Sequence, residues 1–125
     1  RRLCLQGIKS NSMANIKKYQ KVIAQILEEY AAIHSPFWKK DKNQIISDTK
    51  NHHYQLIRIG WDEKKNFVHY TVFHFDIIGG KIWIQANNTD RKIADELVAM
   101  GVPTKDIVLG FHTPEVRAYS NFALA

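Results

Sequence analysis

Three runs of apolar residues in the middle of the chain predict β-strands. The runs are rich in β-branched and aromatic side chains and cover residues 54–61, 67–78 and 81–86. A polar connection, residues 62–66, separates the first two runs, and Gly79 and Gly80 join the last two. Two successive glycines accept positive φ without steric cost, as a tight two-residue hairpin requires. The pattern therefore predicts an antiparallel three-stranded meander around which the other elements are arranged.

Apolar residues at helical spacing predict one helix before the meander and a shorter one after it. From residue 14 to residue 33 they recur every three or four positions, with polar and charged residues between them. The second helix is predicted to start with Asn88 or Thr89 as its N-cap and to end near Met100, followed by Gly101 as a stop signal. We expect the first helix to pack its apolar stripe on the sheet, with a groove for a partner helix as the alternative.

Shorter segments complete the predicted fold. Residues 44–49 suit a fourth strand at a sheet edge, and residues 106–109 suit a short apolar strand. The loop PFWKKDK (36–42) combines aromatic rings with lysines, as single-strand nucleic-acid platforms do, although sealing of the helix end is the favoured interpretation. The predicted class is α+β: an antiparallel sheet built on the three-stranded meander, with an N-terminal amphipathic helix and a second, shorter helix.

The histidines near the central run are candidate functional groups. Alternation along residues 67–78 places His74 and Asp76 on one face and His69 on the other, with bulky apolar residues on both, so this strand is expected to be central and at least partly covered on both sides. A carboxylate two positions away can orient an imidazole, but no Ser or Cys nucleophile accompanies the pair. His52 and His53 point to opposite sides of an extended backbone and do not suit chelation of one ion as a pair. A hydrogen-bonded structural role is therefore the first interpretation of each histidine, and metal binding or catalysis the second.

Length and composition predict one domain. The chain has 125 residues, of which 45% are hydrophobic, enough to bury a core without disulfides or metal. Met13 directly precedes the predicted helix, so residues 13–125 are assigned to the domain. Residues 1–12 are predicted to be a disordered extension or sequence outside the native protein.

Cysteine content, hydropathy and charge set the expected environment. Cys4 is the single cysteine, and no apolar run reaches the roughly 20 residues that cross a bilayer. We therefore expect a soluble cytoplasmic protein without a membrane partner. The net charge of +6 favours contact with polyanions such as DNA but does not specify a partner.

The sequence lacks the common catalytic and cofactor motifs. It has no phosphate-binding or dinucleotide-binding glycine loop, no HExxH motif, no zinc-binding cysteine pair and no GxSxG motif. We therefore predict no catalytic residue, no cofactor and no metal ligand. A functional site assembled in three dimensions from residues distant in sequence is the alternative.

Several long strings resemble the XisI-type fdxN element excision controlling factors of cyanobacteria. They are YQKVIAQILEEYA (19–31), DTKNHHYQLIRIGW (48–61), HFDI (74–77), GKIWIQ (80–85), IADEL (93–97) and the tail from residue 101. They follow one order through the chain, and GKIWIQ and DIVLGFHTPEVR (106–117) are compositionally unusual. The resemblance implies a small α+β accessory protein, not itself a recombinase or other enzyme, that assists site-specific excision of a DNA element during heterocyst development.

The resemblance also implies partners. In that system a large serine recombinase cuts and rejoins the DNA, and XisH, an accessory protein with a nuclease-like fold, is encoded alongside. We expect contact with an XisH-like protein, a recombinase as a further candidate partner, and weak or indirect contact with DNA; homo-oligomerisation stays open. An antitoxin-like role against XisH is the alternative. A hydrolase or nuclease using His53, His69, His74 or His112 with nearby carboxylates is less favoured.

Candidate residues for a partner interface or family motif lie in a turn, a strand and a late loop. Large aromatic side chains and arginine on accessible loops typically anchor interfaces. Trp61 and Trp83 are alternatively core residues, and Arg117 is alternatively part of a structural salt bridge. The candidates are Trp61, Asp62, His74, Gly80, Lys81, Trp83, Gln85, Gly110, Phe111, Pro114 and Arg117.

Overall fold

The computed structural model describes residues 2–33 and 42–125, with side chains from residue 14 onward in the first range. Within these described ranges, five strands form one sheet in the order β1-β2-β3-β4-β5. They are Lys42–Asp48 (β1), His53–Trp61 (β2), Phe67–Ile78 (β3), Lys81–Asn87 (β4) and Ile107–Leu109 (β5). Neighbouring strands are antiparallel, except that β4 and β5 are parallel. The predicted meander, the edge strand and the α+β class are confirmed.

Helix α1, Arg2–Ala31, packs on one face of β1, β2 and β3. Its buried residues recur at helical spacing, as predicted: Tyr19, Val22, Ile23, Ile26 and Leu27. They share one core with strand residues that include Leu56, Phe73 and Ile84. The stripe is therefore a core face. No helix in the described part of the chain is both long enough and apolar enough to cross a membrane.

The start of α1 differs from the prediction. Its helical backbone begins at Arg2, whereas the apolar spacing predicted a helix from residue 14. Extending an existing helix adds one hydrogen bond per residue and avoids the cost of a new nucleus, so an apolar period is not required there. The division of the chain at Met13 stays a prediction. The predicted helix stop at residues 35–36 and the loop up to residue 41 lie outside the described residues.

A β-bulge in β3 reverses part of the predicted alternation. Leu56 of β2 is opposite Phe73, but the next residue, Ile57, is opposite Thr71. Val72 is therefore the extra residue, and Val72 and Phe73 are consecutive buried residues. A one-residue insertion moves every later side chain to the other face of the sheet.

The bulge corrects the predicted arrangement of the histidines. His69 lies before it and His74 and Asp76 lie after it, so all three share the face opposite α1, and the prediction that His69 and His74 face opposite ways is wrong. We call this side of β1, β2 and β3 the open sheet face. β3 is central, as predicted, but its first residue on the open sheet face, Phe67, is 56% exposed.

Helix α2, Ile93–Ala99, begins later than predicted. Its N-cap residue is Lys92, which makes no side-chain cap, so the assignment of Asn88 or Thr89 as N-cap is wrong. The Thr89 backbone N–H instead donates to Asn87 Oδ1 at 3.1 Å, and Arg91 N–H donates to Thr89 Oγ1 at 3.1 Å. These polar side chains stabilise the turn between β4 and α2, which is a local alternative to capping a helix.

The C-terminal end of α2 follows the prediction. Gly101 has φ 96° and donates its N–H to the Val98 carbonyl at 3.0 Å, while Val102 N–H donates to the Leu97 carbonyl at 3.0 Å. This pair of bonds is a Schellman motif. A short 3₁₀ helix, Thr104–Asp106, then leads into β5, and helix α3, Pro114–Arg117, follows.

The hairpin between β3 and β4 confirms the strongest local prediction. Gly79 and Gly80 have φ of 59° and 77°, the two successive positive values that a tight primed turn requires. Lys81 directly follows the turn and is opposite Ile78. The pair of glycines therefore fixes the register of β4 on β3.

Replacing Gly80 with alanine is expected to lower the free energy of unfolding by about 1 kcal/mol, because a β-carbon disfavours positive φ. An added β-carbon at Gly80 would meet no atom within 4 Å, so the cost is conformational and not a clash. Gly80→Asn should cost less, since asparagine tolerates the left-handed region better. Equilibrium urea unfolding measures both variants, and equal losses would contradict this explanation.

Candidate functional site

Two histidines and an aspartate meet at the end of the open sheet face that adjoins β4. His53 Nδ1 lies 2.8 Å from Asp76 Oδ1, and His74 Nε2 lies 2.9 Å from the same oxygen. Sheet geometry explains this convergence. His53 is directly opposite Asp76 in the β2–β3 register, and His74 precedes Asp76 by two residues on the same face. We call His53, His74 and Asp76 the His–Asp cluster.

Gln85, one of the predicted candidates, bonds the second oxygen of the carboxylate, and Gly110, another candidate, leaves space for the Gln85 side chain. Gln85 Nε2 donates to Asp76 Oδ2 at 3.1 Å. Gln85 is the extra residue of a second bulge, between Ile84 and Ala86 in the pairing of β4 with β3. A β-carbon at Gly110 would lie 2.3 Å from Gln85 Oε1, so glycine leaves the space that this amide occupies. Both oxygens of Asp76 therefore have hydrogen-bond donors.

The cluster is buried at its carboxylate and open at its imidazoles. The Asp76 side chain is 10% exposed, whereas those of His53 and His74 are 55% and 28% exposed. Burial raises the pKa of the Asp76 carboxyl, but hydrogen bonds from His53, His74 and Gln85 lower it by more, so this pKa lies below its ordinary value. Asp76 is therefore a carboxylate at neutral pH, and it can accept bonds from both imidazoles at once.

Trp83 and Arg117 lie beside the cluster and connect the sheet to the C-terminal segment. Trp83 is opposite Asp76 in the β3–β4 register. The Arg117 guanidinium carbon lies 5.2 Å from the centre of the Trp83 ring, and Arg117 Nε donates to the His112 carbonyl at 2.9 Å. Arg117 Nη1 also donates to the Leu124 carbonyl. Arg117 is 9% exposed and bonds backbone carbonyls, so it fits neither the accessible anchor nor the salt bridge considered from sequence.

The other end of the open sheet face carries exposed aromatic side chains. Trp61 and Phe67 are directly opposite each other next to the β2–β3 turn, with ring centres 5.1 Å apart. They are 52% and 56% exposed, so Trp61 is not a core residue. The Phe67 ring also stacks on His69, at 6.4 Å between centres. The hairpin end therefore presents a small aromatic surface to solvent.

The remaining candidates are spread over turns and the molecular surface. Asp62 closes the β2–β3 turn, because its Oδ1 accepts the Asn66 backbone N–H at 2.8 Å. Lys81 Nζ donates to the carbonyl of Ala125. Phe111 is exposed, with its ring centre 4.4 Å from that of His112, and Pro114 is exposed as the first residue of α3.

The structure brings together some of the histidines considered from sequence and not others. His53 and His74 join the His–Asp cluster, whereas His69 and His112 pack beside phenylalanine rings elsewhere. The orientation of His74 by Asp76 is as expected. The sequence did not predict that His53 bonds Asp76, or that Asp76 lies between two imidazoles, because both depend on the register between β2 and β3.

Comparison with known proteins assigns this fold and its sequence to a family. The family model described as XisI protein matches residues 13–124. The chain belongs to the XisI family. The resemblance noted from the sequence is thereby confirmed. No protein with a curated description matches the chain.

Two solved structures are similar to this XisI-family chain over almost their whole length. A XisI-like protein from Anabaena variabilis ATCC 29413 has a TM-score of 0.80 and 43% identity, covering 88% of this chain and 99% of its own. The fdxN element excision controlling factor XisI from the same organism has a TM-score of 0.75 and 32% identity, covering 89% of this chain and 99% of its own. The second structure is the one whose name states a function.

Proposed function

We propose that this XisI-family protein is a non-enzymatic controlling factor for site-specific excision of a DNA element, such as the fdxN element during heterocyst development. It acts in the cytoplasm by contacting an XisH-type partner, a recombinase, or both. The similar protein named as an excision controlling factor supports the process. The exposed aromatic end of the open sheet face supports contact with a partner as the means.

The open sheet face has the properties of a protein-binding surface. α1 covers the opposite side of β1, β2 and β3, whereas Ile46, Trp61 and Phe67 are 49%, 52% and 56% exposed. Ile46 belongs to this face because it is opposite Gln55, which in turn is opposite His74. Exposed large aromatic residues are enriched among the few side chains that dominate binding energy. A partner would bury them at little cost in side-chain entropy, since each has two rotatable bonds.

Direct contact with DNA would use another surface and would be weak. Lys17, Lys18 and Lys21 are exposed on α1, which lies on the far side of the sheet from Trp61 and Phe67. About three phosphate contacts would give a shallow dependence of affinity on salt. The protein could therefore hold a partner on one face while the other face lies near DNA.

Loss of the exposed aromatic pair is expected to weaken partner binding. The double variant Trp61→Ala, Phe67→Ala should bind an XisH protein encoded beside a XisI gene at least about thirtyfold more weakly, the loss that one strong interface anchor of about 2 kcal/mol would cause. Binding is measured with purified proteins by calorimetry, after a pull-down has established the complex.

Tyr119→Ala is the matched control, because Tyr119 is a 93% exposed aromatic residue next to α3 and away from the hairpin end. It should bind XisH like the unaltered chain. DNA affinity is titrated across salt in parallel and should be unchanged in the double variant. Failure to bind XisH, together with steep salt-dependent affinity for DNA, would instead make the protein a DNA-architectural factor.

An antitoxin-like role would use the same partner and the same surface. In that case the protein neutralises an XisH partner with a nuclease-like fold. Expression of XisH alone should then arrest growth, and co-expression of this protein should restore it. The Trp61→Ala, Phe67→Ala variant should fail to do so. Harmless expression of XisH alone would favour excision control over neutralisation.

The His–Asp cluster favours a second class of function, a His-dependent hydrolase or nuclease. The His53 imidazole is exposed, the His74 imidazole is half-buried, and one carboxylate orients both. The cluster contains no serine, threonine or cysteine side chain, so such an activity would use an imidazole to activate water. Nuclease assays of the purified protein, with His74→Gln as the control, decide between this class and the accessory role.

A further inference from the structure

We propose that the His–Asp cluster is a binding site for one divalent transition-metal ion of the zinc type, held by His53 Nδ1, His74 Nε2 and Asp76. These three ligand atoms lie within 4.8 Å of one another. The site is independent of the partner contact proposed above, since it occupies a different part of the open sheet face from Trp61 and Phe67.

The strands place the three ligands so that they converge on one point. Side chains two positions apart on a strand have β-carbons about 6.5 Å apart, and side chains directly opposite on neighbouring strands have β-carbons about 5 Å apart. His74 and Asp76 satisfy the first relation, and His53 and Asp76 satisfy the second. The ligands therefore come from rigid, hydrogen-bonded strands, which hold a metal site more accurately than loops do.

The distances suit a metal after a small adjustment. Zn²⁺ holds nitrogen and oxygen ligands at about 2.0 to 2.2 Å, so atoms bound to one tetrahedral ion lie roughly 3.3 Å apart. The two nitrogen-to-oxygen distances are now 2.8 and 2.9 Å. Each nitrogen-to-oxygen distance must therefore lengthen by about half an ångström. Rotation of the exposed His53 ring and the half-buried His74 ring can supply this change.

The ligand types select the ion. Two imidazoles and one carboxylate suit zinc and neighbouring transition metals, whereas magnesium and calcium prefer sets made only of oxygen. Three protein ligands leave a fourth position for water or an outside ligand. The 55% exposure of the His53 side chain leaves that position open to solvent.

Metal and hydrogen bonds compete for the same atoms. Because the Asp76 carboxylate can only accept hydrogen bonds, an imidazole that bonds Oδ1 must carry a proton on the nitrogen that faces it. A metal needs the lone pair of that nitrogen, so the proton moves to the other ring nitrogen of the same histidine. No net proton is released from a neutral ring, whereas an imidazolium ring releases one proton to solvent.

Gln85 and Gly110 would act as positioning residues for this site. Gln85 holds Asp76 Oδ2 at 3.1 Å and leaves Oδ1 directed towards both imidazoles. Loss of such an outer hydrogen bond typically weakens metal binding by roughly ten to a hundredfold. Gly110→Ala would displace the Gln85 amide, because its β-carbon would lie 2.3 Å from Gln85 Oε1.

The test is titration of the tag-free full chain with Zn²⁺ by calorimetry and with Co²⁺ by visible absorption, after treatment with a chelator. We expect one ion per chain and the absorption bands of cobalt bound to imidazole. His53→Gln and His74→Gln should each raise the Kd at least about tenfold, and Gln85→Ala should raise it by roughly ten to a hundredfold. All titrations are repeated with Cys4→Ser, because a thiolate is itself a zinc ligand.

His69→Gln is the matched control, because His69 lies on the same strand and the same face but outside the cluster. It should bind the ion like the unaltered chain, and circular dichroism confirms that each variant is folded. The proposal is wrong if the unaltered chain binds no ion. It is equally wrong if His69→Gln weakens binding as much as His53→Gln. The three side chains would then be a hydrogen-bonded structural cluster only.

Discussion

Asp76→Ala should lower the free energy of unfolding by about 3 kcal/mol, the loss typical of removing one partner from a buried charged network. Asp76 is 7% exposed and accepts bonds from His53, His74 and Gln85. Alanine would leave three donors without their acceptor in a partly buried site. Solvent can reach the His53 ring, so the loss should lie at the lower end of the range for buried pairs. Urea unfolding followed by circular dichroism measures it.

The depressed pKa of Asp76 predicts how stability depends on pH. Because the carboxyl pKa is lower in the folded state than in the unfolded state, the unfolded chain binds the proton first as pH falls. The stabilisation is therefore fully present above the unfolded value of about 3.9 and is lost as pH falls through the lower folded value. The unfolding midpoint of the unaltered chain should fall steeply in acid, and that of Asp76→Asn should fall less.

Asp90→Ala is the control for these measurements. Asp90 is an exposed aspartate in the turn before α2, so its removal should change stability by no more than about 0.5 kcal/mol. It should also retain the acid dependence of the unaltered chain. Equal losses for Asp76→Ala and Asp90→Ala would show that the hydrogen bonds of the cluster contribute no net stability.

Local sequence signals predicted those elements whose conformation depends on a few neighbouring residues. Gly79 and Gly80 specify the β3–β4 turn because few other residues accept positive φ at two successive positions. Gly101 ends α2 for the same reason. The stripe on α1 predicted its core face because helical spacing alone decides which side chains lie together. None of these predictions needs a contact between distant parts of the chain.

The His–Asp cluster depends on a β-bulge that no local sequence signal predicts. Counting back from the β2–β3 turn, where Trp61 is opposite Phe67, a regular register would place His53 opposite Phe75. The extra residue Val72 shifts the pairing by one, and His53 is opposite Asp76. Val72 belongs in a strand whether or not it bulges, so its type does not reveal the shift. Packing of both Val72 and its neighbour into the core accounts for it.

The predicted N-cap of α2 was wrong because the same residue types also occur in turns. Asparagine and threonine side chains bond nearby backbone groups both in helix caps and in turns, and sequence does not separate the two. Asn87 begins the turn by accepting the Thr89 N–H, while Asn87 Nδ2 donates to the Arg91 carbonyl at 2.7 Å. With those groups bonded in the turn, the helix starts only at Ile93.

Arg117 shows how the structure changes the meaning of a candidate residue. An arginine in a late loop suggests an interface anchor, yet here it joins three parts of the same chain. Its guanidinium packs on Trp83 of β4 and donates to the carbonyls of His112 and Leu124. The segment it holds also bonds to the sheet, because Ala123 N–H donates to the Ile107 carbonyl at 2.8 Å. Arg117 therefore stabilises the packing of the C-terminal residues against β5.

Replacing Arg117 with alanine is expected to lower the free energy of unfolding by about 3 kcal/mol. Two carbonyls would lose charged donors, at about 1 to 3 kcal/mol each when buried, and the Trp83 ring would lose its cation. Release of the C-terminal segment should expose Trp83 to water. We therefore expect a red shift of tryptophan fluorescence and faster proteolysis after residue 117.

Two further variants separate the contribution of the Arg117 charge from that of its two directed hydrogen bonds. Arg117→Lys retains the charge but not the planar fork that reaches two carbonyls, so it should recover only part of the lost stability. Arg58→Ala is the matched control, because Arg58 Nε makes a side-chain bond to Asn43 at 3.3 Å beside α1, far from the C-terminal segment. Arg58→Ala should lower the free energy of unfolding by less than about 1 kcal/mol and leave proteolysis near the C-terminus unchanged. Full recovery by lysine would mean that charge, and not the two directed hydrogen bonds, holds the C-terminal segment on the sheet.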